Sequence, residues 1–155
     1  MRVVSLVAGL AVGVLPFLQP NLKASTGGSS KFDGSWTVTA NFHRYKDPTG
    51  PVASAFIIQF PATVTNGVLS GEWKARNGAW MTLSGKIGAD GMAVLHVNGL
   101  TSTALEYHLK DHVTGESHAR AGHPIAFDVK AQFSGQRGSG ERIGARATDF
   151  DFVKG

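Results

Sequence analysis

From Phe32 onward, apolar residues fall at every second position. Trp36, Val38, Ala40 and Phe42 alternate with Ser35, Thr37, Thr39 and Asn41, a spacing that places one set on each face of an extended strand. Phe56, Ile58, Phe60, Ala62 and Val64 repeat the pattern. Pro61 within that run has no N–H to give to a ladder, so it predicts a bulge or an edge. Asn66-Gly67 predicts a tight hairpin turn into Leu69, Gly71, Trp73 and Ala75. Asn77-Gly78 predicts a second turn, into Met81, Leu83, Gly85 and Ile87, and Gly88-Ala89-Asp90-Gly91 a third, into Ala93, Leu95 and Val97.

The pattern weakens over Thr101 to His123, which is polar and histidine-rich with a faint alternation at Leu105, Tyr107 and Leu109. This stretch reads as a long excursion containing a short strand. Alternation returns at Ile125, Phe127, Val129, Ala131 and Phe133. Gly135 to Gly140 then reads as a glycine-rich turn, followed by Arg142 to Gly144 and a closing strand with Phe150 and Phe152. Strands that each bury one face and follow one another through short turns have two stable solutions. The expected fold is all-β, an antiparallel up-and-down barrel of about seven or eight strands, because closure removes exposed edges. A two-layer β-sandwich is the alternative.

The first residues follow a different rule. Met1-Arg2 gives a short positive start, and Val3 to Leu18 is an uncharged, mostly apolar run. A run of that length is short for a bilayer span of about 20 residues and suits the hydrophobic core of a secretion signal. The expected organisation is a signal peptide over 1–24, a flexible leader over 25–31 and a single β domain over 32–155. An uncleaved membrane anchor is the alternative for the first segment. The expected location is periplasmic or secreted, with no membrane span in the mature form.

Composition adjusts this picture in three ways. There is no cysteine, which excludes disulfides, thiolate metal sites, a cysteine nucleophile and a lipidated N-terminal cysteine. Loss of residues 1–24 would remove two of the 15 basic residues and none of the 11 acidic ones, lowering the net charge from +4 to +2. The remaining charges are scattered without a basic run, so no nucleic-acid partner is expected.

From Phe32-Asp33-Gly34-Ser35-Trp36 onward the chain resembles a group of small exported alphaproteobacterial β proteins. These run from a Phe-Asp-Gly-x-Trp start to a Gly-x-Gly-x-Arg hairpin and a closing Phe-x-Phe-x-Lys strand. Leu83-Ser84-Gly85, Asp90-Gly91, Gly138-Ser139-Gly140-Glu141-Arg142 and Phe150-Asp151-Phe152-Val153-Lys154 follow in the same order. A similar module is appended to some class III nucleotide cyclases, which implies an accessory or sensing role there. The resemblance implies a fold and a compartment more than an activity. Group members commonly carry a cysteine near positions 147–149, and this chain has none. Gly34-x-Trp36 on a first strand also has a looser likeness to avidin-type and lipocalin-type barrels, from which no ligand residue is carried over.

Three sets of residues could carry chemistry. His108, His112, His118 and His123 lie within one stretch, and imidazole is a common ligand for zinc, copper or nickel. Four residues of strand would hold His108 and His112 about 13 Å apart, too far to share an ion. A loop could gather them with Asp111 or Glu116, or leave them solvated and titrating. The second set is aromatic: Trp36, Trp73, Trp80 and Tyr107, with Phe42, Phe56 and Phe60. These rings either line a ligand pocket or fill a small barrel. Trp80 has the opposite parity from Met81 and Leu83, which predicts an outward or rim position. The third set is Arg137, Arg142 and Arg146, beside a glycine-rich segment that reads as a hairpin rather than a phosphate loop, because no helix follows it. These arginines either form an anionic-ligand patch or pair with Glu141, Asp149 and Asp151.

The functional expectation is an exported, non-enzymatic β-barrel module that binds a small ligand or a cell-envelope partner, without a cofactor. The alternatives are a periplasmic metal-binding protein using the histidine loop, and a hydrolase whose site one sequence does not reveal. No nucleophile, base and orienting group are brought together by any motif.

Overall fold

A computed structural model describes residues 29–46, 52–100 and 124–155. The expected signal peptide, most of the leader, Tyr107 and the four histidines His108, His112, His118 and His123 lie outside the described residues. The remainder is a closed antiparallel barrel. A single 3-10 turn at Ser30–Phe32 leads into β1 (Gly34–Phe42), and a small hairpin of β2 (Tyr45–Lys46) and β3 (Val52–Ala53) follows. The other wall strands are β4 (Phe56–Thr65), β5 (Val68–Lys74), β6 (Trp80–Lys86), β7 (Met92–Leu100), β8 (Pro124–Ser134), β9 (Arg137–Ile143) and β10 (Thr148–Lys154).

Around the barrel the order is β1-β10-β9-β8-β7-β6-β5-β4, with β1 pairing with β4 to complete the ring. Each wall strand except at the β1–β10 seam therefore pairs with the wall strand that precedes or follows it. Closure excludes the two-layer sandwich. Among the described residues, no helix is long and apolar enough to cross a membrane.

The period-two pattern is what places the core. Trp36, Val38, Ala40 and Phe42 of β1 are buried, as are Phe60, Ala62 and Val64 of β4. Leu69, Met81, Leu83, Leu95, Val97, Val129, Ala131, Phe133, Phe150 and Phe152 belong to the same interior cluster. Fully burying each large apolar side chain of this kind contributes roughly 1.5–3 kcal/mol. Asn66 and Gly67 take φ of 52° and 71°, the left-handed pair that matches the twist of a two-residue hairpin.

One element departs from the expectation. The segment read as a glycine-rich turn over Gly135 to Gly140 is mostly strand, with β9 starting at Arg137 and only Gly135 and Gln136 left at the turn. The reason is steric. A Cβ at Gly138 would sit 2.7 Å from Cδ1 of Phe133, and one at Gly140 would sit 2.9 Å from Cγ1 of Val129. Glycine at these inward positions leaves the volume to the large side chains of β8.

The two ends of the barrel differ. At one end the 3-10 turn acts as a plug. Phe32 is buried against Phe133, with ring centroids 5.8 Å apart. Trp36 Nε1 donates to the Phe32 carbonyl at 2.8 Å, and Ser29 N donates to the Ile87 carbonyl at 3.0 Å. Asp33 ties the plug to the first hairpin by accepting from the amides of Asn66 and Gly67 at 3.0 and 2.8 Å. The opposite end, here called the mouth, is where β1 ends and where β4, β6, β8 and β10 begin.

Candidate functional site

Pro61 shapes the wall of the mouth. The β1–β4 ladder runs straight through it, pairing Pro61 with Thr37. The β4–β5 ladder reaches only from Thr65 to Ala62 and stops there. With no N–H at position 61, the ladder to β5 loses a donor, and toward the mouth the two strands run on without pairing. Phe56 and Ile58 of β4 and Trp73 of β5 flank this unpaired stretch. All three are half-buried and pack on the core.

Below the rim lies an aromatic floor. Phe42 stacks on Phe56 with centroids 4.4 Å apart and an interplanar angle of 11°. Phe42 also meets Phe127 and Phe150 edge-on, each at 6.5 Å. Offset and edge contacts of this kind contribute beyond simple burial. Phe150 is fully enclosed, whereas Phe56 and Phe127 remain partly open.

Two arginines stand over that floor. Arg142 follows Gly138 and Gly140 on the inward face of β9, and its guanidinium lies 4.1 Å from the centroid of Phe127. Its Nε is buried and has no hydrogen-bond partner among the described residues. Burial pushes the Arg142 guanidinium below the usual arginine range, while the Tyr45 phenol acts in the opposite sense. Arg146, at the rim, lies 5.4 and 5.1 Å from the centroids of Phe42 and Phe56. It donates from Nε to the His43 carbonyl at 2.9 Å and from Nη2 to the Ser54 carbonyl at 2.7 Å. It thereby staples the β2–β3 hairpin region to the barrel.

Among the described residues, the carboxylates beside Arg142 face elsewhere. Glu141 and Asp149 are exposed on the outer face. Asp149 pairs with His43, Nε2 to Oδ2 at 2.5 Å, and Asp128 pairs with His96, Nδ1 to Oδ1 at 2.6 Å. Among the described residues, no carboxylate forms an ion pair with Arg142. Of the two sequence readings for the arginines, pairing with Glu141, Asp149 or Asp151 is not what the geometry shows for Arg142. Arg137 is exposed and lies at the plugged end of β9, away from the other two.

The tryptophans do not converge. Trp36 sits at the plugged end, 2% exposed, with its indole N–H satisfied and its ring edge-on to Phe133 at 5.5 Å. That placement suits core filling. Trp73 faces inward at the mouth, and Trp80 has the opposite parity from buried Met81 and Leu83, as the sequence indicates. Trp80 pairs with Lys74 and Leu100 across the rim of β6. Among the described residues, no group of three or more histidine or acidic side chains is placed to hold a metal ion. Surface hollows among the described residues lie on the outside of the wall and, beside Lys31, Phe32, Asp90 and Gly135, at the plugged end. One of about 510 Å³ has Met92, Val94 and Ile143 between Lys86 and Lys130.

Phe127 and Arg142 are the residues that sequence reasoning left without a joint role. Parity held the signal: Arg142 follows Gly138 and Gly140 at two-residue steps, so a strand through the glycines turns Arg142 inward. No family model matches the chain, and neither the curated proteins nor the solved structures give a match.

Proposed function

We propose that this protein is an exported, non-enzymatic binding module that receives a small, largely apolar ligand at the mouth of its barrel. The observation that carries this reading is the contrast between the two ends. The plugged end is filled by buried Phe32, Trp36, Phe133 and Phe152. The mouth presents half-buried Phe56, Ile58, Trp73 and Phe127 beside a stretch of wall where β4 and β5 do not pair. Ligand sites in small β-barrels occupy their mouths, where apolar walls meet a few polar groups. Export is supported by the positive start and apolar run of the first 24 residues.

Tryptophan fluorescence tests the reading directly, because Trp73 lies at the mouth and Trp36 is sealed at the far end. Titration of the full chain with apolar and planar compounds is expected to shift the emission. The Trp73→Phe variant should lose most of that response, and Trp36 should contribute little. An unchanged spectrum across the panel, or a response that survives in Trp73→Phe and Trp80→Phe alike, overturns it.

A further inference from the structure

An inward-facing guanidinium is an unusual way to finish a strand whose other inward positions are glycine. Nothing in the packing of the described residues calls for it. Its planar face covers Phe127, and a methionine or leucine could do that without bringing a charge under the rim. The charge is also costly: the Nε is buried without an acceptor among the described residues, and an unsatisfied buried polar group works against folding. Inward neighbours among the described residues give no compensation. The ring floor is Phe42, Phe56, Phe127 and Phe150, and the adjacent carboxylates Asp128 and Asp149 are turned outward onto histidines. Arg146 places a second guanidinium on the same rings from the rim. A wall of aromatic faces with cations held over them, and no anion among the described residues to meet Arg142, is complementary to a ligand with two parts.

We infer that the mouth recognises a small organic anion: an apolar or planar body laid against Phe56, Phe127 and Trp73, with its carboxylate accepting from the Arg142 guanidinium. Arg146 lies over the same rings from the rim while its Nε and Nη2 hold the backbone. The inference rests on the mouth being a ligand site and adds the charge of the occupant. A guanidinium presents a planar fork of N–H donors that matches a carboxylate better than a lysine ammonium does.

The test compares matched probes on the full chain by isothermal calorimetry. Naphthoate is set against naphthamide, and decanoate against decanol, with wild type, Arg142→Met and Arg142→Lys. The acids are expected to bind wild type at least about tenfold more tightly than their neutral partners, the scale of one charge-assisted hydrogen bond. Arg142→Met should erase that difference while keeping the neutral probes, and Arg142→Lys should restore part of it. Equal binding of acid and neutral partner to wild type overturns the inference and leaves the mouth as an apolar site. Absence of binding by all four probes overturns the mouth reading and this inference together. Should Arg142→Met fail to fold by circular dichroism, the acid-to-neutral ratio in wild type and its change in Arg142→Lys decide the matter.

Discussion

Single atoms decide how this interior is filled. Trp36 anchors the plug with one buried hydrogen bond to the Phe32 carbonyl. Trp36→Phe keeps a ring there but removes the donor and part of the volume. It is expected to cost about 2 kcal/mol, measured by urea unfolding with an unchanged m-value. Gly138 is the converse case, where the missing atom matters. Gly138→Ala places a methyl 2.7 Å from a Phe133 ring that is itself locked between Phe32, Trp36 and Phe152. The ring has little room to move, and a loss of about 1–3 kcal/mol is expected. Ser139→Ala, one position along on the exposed face, should change stability by less than about 0.5 kcal/mol. A similar loss in both variants would contradict the inward assignment of β9.

Strands and turns were legible to the extent that hydropathy marked them. β1, β4, β7 and β8 carry apolar residues at most inward positions, so alternation alone locates them and orients their faces. β9 carries Gly138, Gly140 and Arg142 at its inward positions, and none of these registers as apolar. Its strand character comes from Phe133 and Val129 across the ladder, information that a single run of sequence does not contain. The mouth was hidden for the same reason. Phe42, Phe56 and Phe127 are visible as ring positions, but Phe42 and Phe127 are far apart in sequence, and only closure of the barrel brings them to 6.5 Å. At this scale Asp33 is the informative side chain, because it couples the plug to the Asn66-Gly67 hairpin through two amides. Asp33→Ala should destabilise the protein by roughly 1–3 kcal/mol. Hydrogen exchange should quicken at the amides of Asn66 and Gly67 while those of β8 stay protected. Uniform loss of protection would instead mean that the plug and hairpin do not act as a local unit.

At the scale of the whole molecule, the barrel is asymmetric along its axis. One end is sealed by a short turn of the chain, and the other combines a gap in the β4–β5 ladder with arginines stacked on rings. The hydrophobic cluster runs from the plug to the floor of the mouth without a break, so a ligand at the rim would rest on a surface that stability already requires. Binding there is expected to raise the melting temperature, since a ligand that prefers the folded state stabilises it by mass action. A thermal shift that grows with naphthoate concentration in wild type and falls in Arg142→Met would show that coupling.

The order of the strands carries a kinetic corollary. Almost every wall strand meets its immediate successor, so most of the sheet can assemble by zipping up short hairpins, whereas the β1–β10 seam joins residues such as Val38 and Phe152 across the length of the domain. Closing so large a loop is entropically the hardest step, and it earns its contacts only after the meander exists. Leu83→Ala, within the meander, should therefore slow refolding, and Val38→Ala, on the strand that shuts the ring, should chiefly hasten unfolding in stopped-flow experiments.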